Sequence, residues 1–350
     1  MGEIEMKRRP KYVVRLCVIF MICLWSAYAY SATPESKMGV RPLGMSAFAA
    51  VADDVNAICW NPAGLSLLQS QEATAAYTPL YKAEISQSYL AYAYPTGKWG
   101  TIGVNFSSLD YGSMDWRNDA GDDLGEFSRK DYSFLASYGI SLMGSFSLGA
   151  AVGATSIRMD SVEEGSTTGV GFDLGALYTI ASRMSFGFLL ENVGGINNSN
   201  RELARQKIRA GAAISVLNKP GMGLVAAVDL EGQQGKADTL YSGFEWSVFS
   251  PSSFFVKRKV HEGRITLGKY DITDYTEGLP EAKGKTSLCI RGGVRKRLAV
   301  DEPITLSGGV CIRYLIGKTA PALKIDHAFT SYPYLGTTHR FSLGLEFGGI

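Results

Sequence analysis

Apolar residues alternate with small or polar residues along most of the chain, from about residue 71 onward. In the runs 168–180 and 339–347, one parity is mostly Val, Phe, Leu, Tyr and Ile, and the other is mostly Gly, Ser, Thr and charged residues. Segments with the same period of two centre near residues 76, 90, 103, 135, 150, 188, 211, 226, 244, 290, 310 and 326. The pattern predicts about fourteen strands of about ten residues, the length that a tilted strand needs to cross a bilayer.

A soluble β-sandwich alternates in the same way, but three features favour an all-β transmembrane antiparallel β-barrel. The second face is too small and too polar for a dry core between two sheets, and the apolar face often ends in an aromatic residue. The turns also alternate between tight and long, as periplasmic turns and external loops do in such barrels. The predicted tight turns are 95–98, 143–145, 181–183, 218–221 and 317–321, and the predicted long loops are 110–130, 159–167, 194–205, 232–238, 295–303 and 331–337.

The N-terminus predicts an export signal. Basic residues precede an apolar stretch at 16–28, and a small-x-small pattern follows, with cleavage expected near Ala29 or Ala32. A transmembrane anchor is the alternative, but the stretch is short for about 30 Å of hydrocarbon. The predicted organisation is a signal peptide at 1–29, an N-terminal hatch or plug at 33–70, and a barrel at 71–350. Residues 249–284 interrupt the alternation, and we expect an inserted excursion with a short hairpin near 254–260. The alternative is two further spanning strands, which would make sixteen in all.

The composition argues against several classes of function. The formal net charge of the 350 residues is +2, so no basic excess indicates nucleic-acid binding. With 3 histidines, 5 cysteines and no recognised catalytic motif, we expect no enzyme activity, no metal site and no cofactor. Three cysteines follow the predicted signal peptide. Cys289 and Cys311 face inward on neighbouring predicted strands, either as a disulfide or as two free thiols.

The segment 38–68 neither alternates nor forms a long helix, and it predicts a compact, turn-rich plug. Asp53 or Asp54 is a candidate cap for a short helix that runs towards Trp60. Pro62 then moves Asn61 out of the α region and ends that helix.

The stretch ADDVNAICWNPAGL, at 52–65, resembles the signature of the FadL-like outer-membrane barrels, and more closely their PorV/PorQ branch. The stretches 88–112, 173–178, 191–195 and 325–347 resemble the same branch in order. The resemblance implies a 14-stranded barrel with the N-terminal segment folded into the lumen as a hatch. It differs in two places, because Gly348, Gly349 and Ile350 follow the final aromatic residue and because 249–284 is extra. The predicted hatch motif comprises Asp53, Asp54, Asn61, Pro62 and Gly64, for which we expect structural use in the hatch.

Charged residues on the small-residue face are predicted to point into the lumen, since a central Arg or Lys on the lipid face costs about 2–4 kcal/mol. They serve either as paired charges that stabilise the lumen and pin the hatch, or as a selectivity lining. The predicted lumen-facing charges are Asp173, Arg209, Asp229, Glu245, Arg291, Arg313, Lys324, Asp326, Arg340 and Glu346.

The resemblance implies an outer-membrane location, with lipid as a partner, and two functions. The PorV/PorQ branch handles exported cargo proteins with the subunits of a type IX secretion apparatus, and FadL-like barrels transport long-chain fatty acids or other hydrophobic solutes. The 110–130 loop is acidic and hydrophilic, whereas fatty-acid uptake calls for an apolar external groove, so the first expectation is protein export. The aromatic loop 331–337 either packs at the rim or contacts a partner or lipid headgroups.

Overall fold

A computed structural model describes residues 38–80, 84–118, 120–142, 144–160, 166–180, 183–193, 195–197, 206–219, 221–233, 236–250, 266–267, 270–271, 286–298, 302–316 and 321–349. The predicted signal peptide, most of the 249–284 excursion and its predicted hairpin near 254–260 lie outside these residues.

Fourteen antiparallel strands form a closed barrel. They are β1 (Ser70–Pro79), β2 (Ser86–Pro95), β3 (Thr101–Arg117), β4 (Asp123–Ser141), β5 (Phe146–Asp160), β6 (Ser166–Ile180), β7 (Met184–Glu191), β9 (Lys207–Lys219), β10 (Gly221–Gln233), β11 (Lys236–Ser250), β14 (Thr286–Arg297), β15 (Thr305–Leu315), β16 (Ala322–Tyr332) and β17 (Gly336–Gly349). Each pairs with the next in this order, and β1 pairs with β17 to close the wall. The predicted barrel and its strand number are confirmed.

Three short strands lie outside the wall. β8 (Gly195–Asn197) pairs with the outer part of β6, while β12 (Thr266–Leu267) and β13 (Tyr270–Asp271) pair only with each other. Because β11 pairs directly with β14, the inserted segment adds no strand to the wall. The sixteen-strand alternative is therefore wrong.

The alternation sorts side chains between lipid and lumen. Leu90, Ile102 and Phe134 are among many large apolar side chains that are about half exposed on the outer wall. A continuous apolar exterior of this kind is stable only in contact with lipid. In the described residues no helix combines the length and the apolar character that a membrane span requires.

The connection 110–130 is a strand ribbon, not the predicted solvated loop. β3 continues to Arg117 and β4 begins at Asp123, with a register shift between Asp110 and Ser113. The strands of 17 and 19 residues exceed the roughly ten that span a bilayer, so the ribbon projects beyond it. Polar side chains still alternate with apolar ones here, and cross-strand pairing extends the sheet. The predicted loops 159–167 and 331–337 are likewise shortened by their strands.

The N-terminal segment, residues 38–68, contains helix α1 (Val40–Met45), helix α2 (Ala57–Trp60) and a 3₁₀ helix (Pro62–Leu67). Asn61 is extended and ends α2, and its side chain accepts a hydrogen bond from the Ala63 amide at 3.2 Å. The expected aspartate cap is wrong: Asn56 occupies the N-cap position without a side-chain cap bond. Asp54 instead accepts from the Asn56 backbone amide two residues on, a local turn that competes with capping.

Candidate functional site

The N-terminal segment lies against the inner wall of the barrel, and almost all of its residues are buried. Glycines on several strands make this contact. At Gly149 on β5 and Gly187 on β7, a Cβ atom would overlap the backbone of residues 62–63 and 49–50, respectively. The alternation that gives the wall an apolar exterior therefore also supplies the flat inner surface on which the segment packs.

Two residues of the predicted motif make this close packing possible. Asn61 is fully buried, and its Nδ2 donates to the carbonyl oxygens of Ala49 at 2.8 Å and of Ala176 on β6 at 3.2 Å. A Cβ at Gly64 would overlap the Ala52 carbonyl, so the motif requires glycine there. Asn61 and Gly64 thus hold the segment to itself and to the wall.

A second contact uses charge on β9 and β10. Asp229 accepts hydrogen bonds from the backbone amides of Phe48 and Ala49, at 2.7 and 2.9 Å. Arg209 is fully buried, and it forms ion pairs with Asp229 at 3.6 Å and with Glu231. A wall carboxylate thus binds two amides of the N-terminal segment, and the arginine balances its charge.

Arg41 is the centre of a larger charge network. Its guanidinium contacts Asp53 at 2.5 Å and Asp54 at 3.0 Å within the segment, and Glu245 on β11 at 2.9 Å. Glu245 also pairs with Arg291 on β14 at 2.6 Å. The segment is therefore joined to the wall through a shared carboxylate.

Further ion pairs lie on the next four strands, β15, β16, β17 and β1. Arg291 pairs with Asp326 on β16 at 2.5 Å. Glu346 on β17 pairs with Arg313 on β15 at 2.6 Å and also with Lys324 on β16. Lys324 lies 3.6 Å from Glu72 on β1. The charges thus lie together along one side of the barrel.

Two further predicted lumenal charges form hydrogen bonds with wall residues. Arg340 donates to the hydroxyl groups of Thr330 at 2.9 Å and Tyr332 at 3.2 Å. Asp173 accepts from the Asn192 amide at 2.8 Å. Their roles differ from that of the charges that contact the N-terminal segment.

Sequence reasoning did not identify Arg41, Glu72 or Glu231. Glu72 lies 4% exposed on β1 and accepts from the Val55 amide at 3.1 Å, and Glu231 shares the parity of Asp229 on β10. The alternation could have identified both glutamates. Arg41 lies in the non-periodic segment, where no period assigns a direction to a side chain.

Nearby charges also alter the ionisation of Asp54 in the N-terminal segment. Burial opposes ionisation of Asp54, but the positive charges of Arg41 and Lys324 outweigh it and lower the pKa of this carboxyl below its usual value. Asp54 is therefore held as a carboxylate that favours the docked segment.

A polar cavity of about 120 Å³ separates part of the N-terminal segment from the wall. It is lined by the charge network of β1, β11 and β14–β17, together with Ser247, Cys289 and Cys311. The space between segment and wall is thus polar beside the charge network.

At the external end, the projecting ribbon presents an apolar face over the mouth. Phe127 has the same parity on β4 as Asp131, which is 4% exposed and inward. Phe127 pairs with Met114, and Trp116 pairs with Gly125. These three apolar side chains therefore continue the lumenal face of the wall.

Two acidic side chains of the ribbon, Asp115 and Glu126, take the opposite face. Glu126 shares the parity of Phe134, which is 48% exposed on the lipid side, and it pairs with Asp115. The three apolar side chains therefore lie on the face of the ribbon opposite to Asp115 and Glu126.

No family model and no curated protein matches the sequence. Solved structures do resemble the fold. The toluene transporter TodX of Pseudomonas putida is 9% identical with a TM-score of 0.52, over 91% of this chain and 99% of that one. The deltaS2 mutant of the TodX monoaromatic hydrocarbon channel is 10% identical with a TM-score of 0.52, over 89% and 98%. A Pseudomonas aeruginosa FadL homologue is 11% identical with a TM-score of 0.48, over 91% and 99%.

At these identities the likeness establishes the fold. The narrower resemblance to the PorV/PorQ branch stays a prediction from sequence. The chain has the architecture of the FadL- and TodX-like bacterial outer-membrane β-barrels.

Proposed function

We propose that the protein transports a hydrophobic small molecule across the outer membrane, with the N-terminal segment as a hatch in the lumen. The observation that carries this proposal is the apolar face of the ribbon formed by Met114, Trp116 and Phe127. It supplies a surface where an apolar solute is collected before it enters the lumen. Two structures of TodX, a transporter of toluene, have a TM-score of 0.52 to this chain, which supports the same class of function and a role other than catalysis.

The hatch must move or loosen for a solute to pass, because residues 38–68 fill much of the lumen. The charge network gives a physical route, since water and solute groups can replace side-chain partners along the polar cavity. The predicted lumenal charges on β11 and β14–β17 thus act here as a latch between hatch and wall.

Uptake by cells that produce the protein tests the proposal. Radiolabelled toluene and a long-chain fatty acid are the two probes, and a small hydrophilic sugar reports on leakage. The variant Trp116→Ser with Phe127→Ser is expected to lower uptake of the transported probe by about tenfold or more, since burial of each side chain contributes about 1.5–3 kcal/mol.

The matched control alters the opposite face of the same ribbon. Asp115→Asn with Glu126→Gln leaves the apolar face intact and is expected to retain uptake. Equal losses in both double variants, or no uptake of either probe by the unaltered protein, would contradict the proposal.

The sequence resemblance to the PorV/PorQ branch favours a second candidate, the handling of exported proteins with secretion subunits. Purification in mild detergent followed by mass spectrometry of everything that co-elutes distinguishes the two. Secreted proteins that share a C-terminal domain would support export. Bound acyl chains or aromatic solutes without protein partners would support transport.

A further inference from the structure

Two cysteines face each other across neighbouring strands of the wall. Cys289 on β14 is directly opposite Cys311 on β15 in the antiparallel register. Directly opposed residues have Cα atoms about 4.5–5.5 Å apart, which lies within the 4.4–6.8 Å range of disulfides. The two thiols are free. The register therefore places the two cysteines at a separation that a disulfide can span.

Both thiols face the lumen and not the lipid. Their strand neighbours Ile290, Val310 and Ile312 are exposed on the outer wall, so the alternation directs the cysteines inward. Both cysteines line the polar cavity beside the charge network. Cys311 is 4% exposed and Cys289 is partly accessible, so Cys289 is the thiol that a soluble reagent meets first.

The third cysteine of the described chain is remote from this pair. Cys59 lies in α2, 3.2 Å from the Asn105 amide on β3 and 3.9 Å from the Tyr89 hydroxyl on β2. Burial raises the pKa of the Cys59 thiol to about 12, so it stays protonated and is a poor nucleophile. Cys59 therefore serves as an internal reference for thiol reactivity.

We propose that Cys289 and Cys311 are a disulfide-forming pair that closes in the exported protein and ties β14 to β15 beside the latch. The oxidant is a disulfide, either that of an exported thiol oxidase or that of an oxidised small thiol. The Cys289 thiolate attacks one sulfur of that disulfide, forms a mixed disulfide with it and releases the other sulfur as a thiolate. The Cys311 thiolate then attacks the Cys289 sulfur of the mixed disulfide and releases the second thiolate. One disulfide forms in the protein, one is reduced to two thiols, and the two cysteine protons pass to them.

The bond acts on the latch because Arg291 lies two residues after Cys289 on the same face of β14. Arg291 contacts Glu245, which also holds Arg41 of the hatch. A bridge between β14 and β15 fixes the strand that carries Arg291. We expect the hatch to be harder to displace in the oxidised protein than in the reduced protein.

The exported protein without the signal peptide, and hence without Cys17 and Cys23, tests the pair after purification in mild detergent and incubation with oxidised glutathione. After denaturation and alkylation without reductant, the expected result is one alkylated cysteine, Cys59, and an intact mass before alkylation that is lower by two hydrogen atoms. Pre-treatment with a reductant should restore three alkylated cysteines. Three alkylated cysteines in the oxidised sample would overturn the proposal.

The variants separate this bond from other thiol chemistry. Cys59→Ser should still lose two hydrogen atoms on oxidation, whereas Cys289→Ser and Cys311→Ser should not. A mixed disulfide with glutathione on Cys289 in the unaltered protein would also overturn the proposal, because it means that Cys311 does not complete the exchange. Reduction should speed proteolysis within residues 38–68 in the unaltered protein and leave the rate unchanged in Cys311→Ser.

Discussion

The two sides of the barrel hold the N-terminal segment by different physical means. On the glycine-packed side, formed by β4–β7, residues 49–66 lie directly on strand backbone at Gly149, Gly175 and Gly187. On the ion-paired side, formed by β1, β11 and β14–β17, Arg41 and the network around it line a polar cavity of about 120 Å³, although Gly243 on β11 and Gly293 on β14 also lie directly against the Met45 backbone. We infer that the contacts without spare volume on β4–β7 fix the N-terminal segment, and that the ion pairs beside the cavity act as its latch.

On the glycine-packed side, replacement of a single glycine by a larger residue is expected to disrupt the packing of the N-terminal segment. Gly149→Val places a branched side chain where the backbone of Pro62 and Ala63 lies. Overpacking costs about 1–3 kcal/mol even where side chains can move, and backbone cannot yield as easily. We expect the hatch to leave the wall, with a large rise in sugar leakage and in proteolysis within residues 38–68.

The control for this change lies on the same strand. Ala154→Val adds similar volume on the exposed, outward parity of β5 and should change neither leakage nor proteolysis. If Gly149→Val behaved like Ala154→Val, the packed side would not be what fixes the hatch.

On the ion-paired side, substitution of Arg41 is expected to disrupt the charge network at its centre. Arg41→Gln leaves Asp53, Asp54 and Glu245 without their shared cation, and removal of one partner of a buried pair costs about 3–5 kcal/mol. We expect raised single-channel current and solute flux in planar bilayers, with a smaller rise in proteolysis than for Gly149→Val. Arg117→Gln, an exposed arginine on the ribbon, is the matched control and should leave the current unchanged.

Acid should weaken the latch more gently. Because the pKa of Asp54 is lowered in the folded protein, its stabilising effect is complete above the ordinary Asp value of about 3.9. The effect is lost as the pH falls through the lowered pKa of the native state. Channel current should therefore rise below about pH 4. Asp54→Asn should make that rise smaller, and an unchanged pH profile in this variant would assign the acid response to other groups.

The fold could be predicted from sequence because the membrane constrains every wall residue to one of two faces. The run at 168–180 shows this, since one parity is apolar and the other carries Asp173 and glycines. The tight turn at 95–98 was equally predictable, because Pro95 and Gly97 favour a turn there. The projecting ribbon was not, because its alternation changes register at 110–113, where the extra residue reverses which parity faces the mouth.

The site was predictable only in part. Parity identified wall charges such as Glu245 and Arg291, but it gave neither their partners nor their order around the barrel, which depend on strand tilt and on the fold of the N-terminal segment. Arg41 shows the limit: its three carboxylate partners lie 12, 13 and 204 residues away in sequence. Without a period in residues 38–68, no local pattern directs this side chain to β11.

Matched tethers on the two sides test the central claim most directly. Ser66 lies 2.7 Å from Ser147 on the packed side, and Ser46 lies 2.7 Å from Ser307 on the ion-paired side, each measured between hydroxyl oxygens. In a background with Cys59→Ser, Cys289→Ser and Cys311→Ser, each serine pair is replaced by cysteines, and uptake is measured before and after oxidation. We predict that the Ser46→Cys, Ser307→Cys tether stops uptake reversibly and that the Ser66→Cys, Ser147→Cys tether leaves it intact. Loss of uptake with the packed-side tether alone, or unchanged uptake with both, would contradict the account.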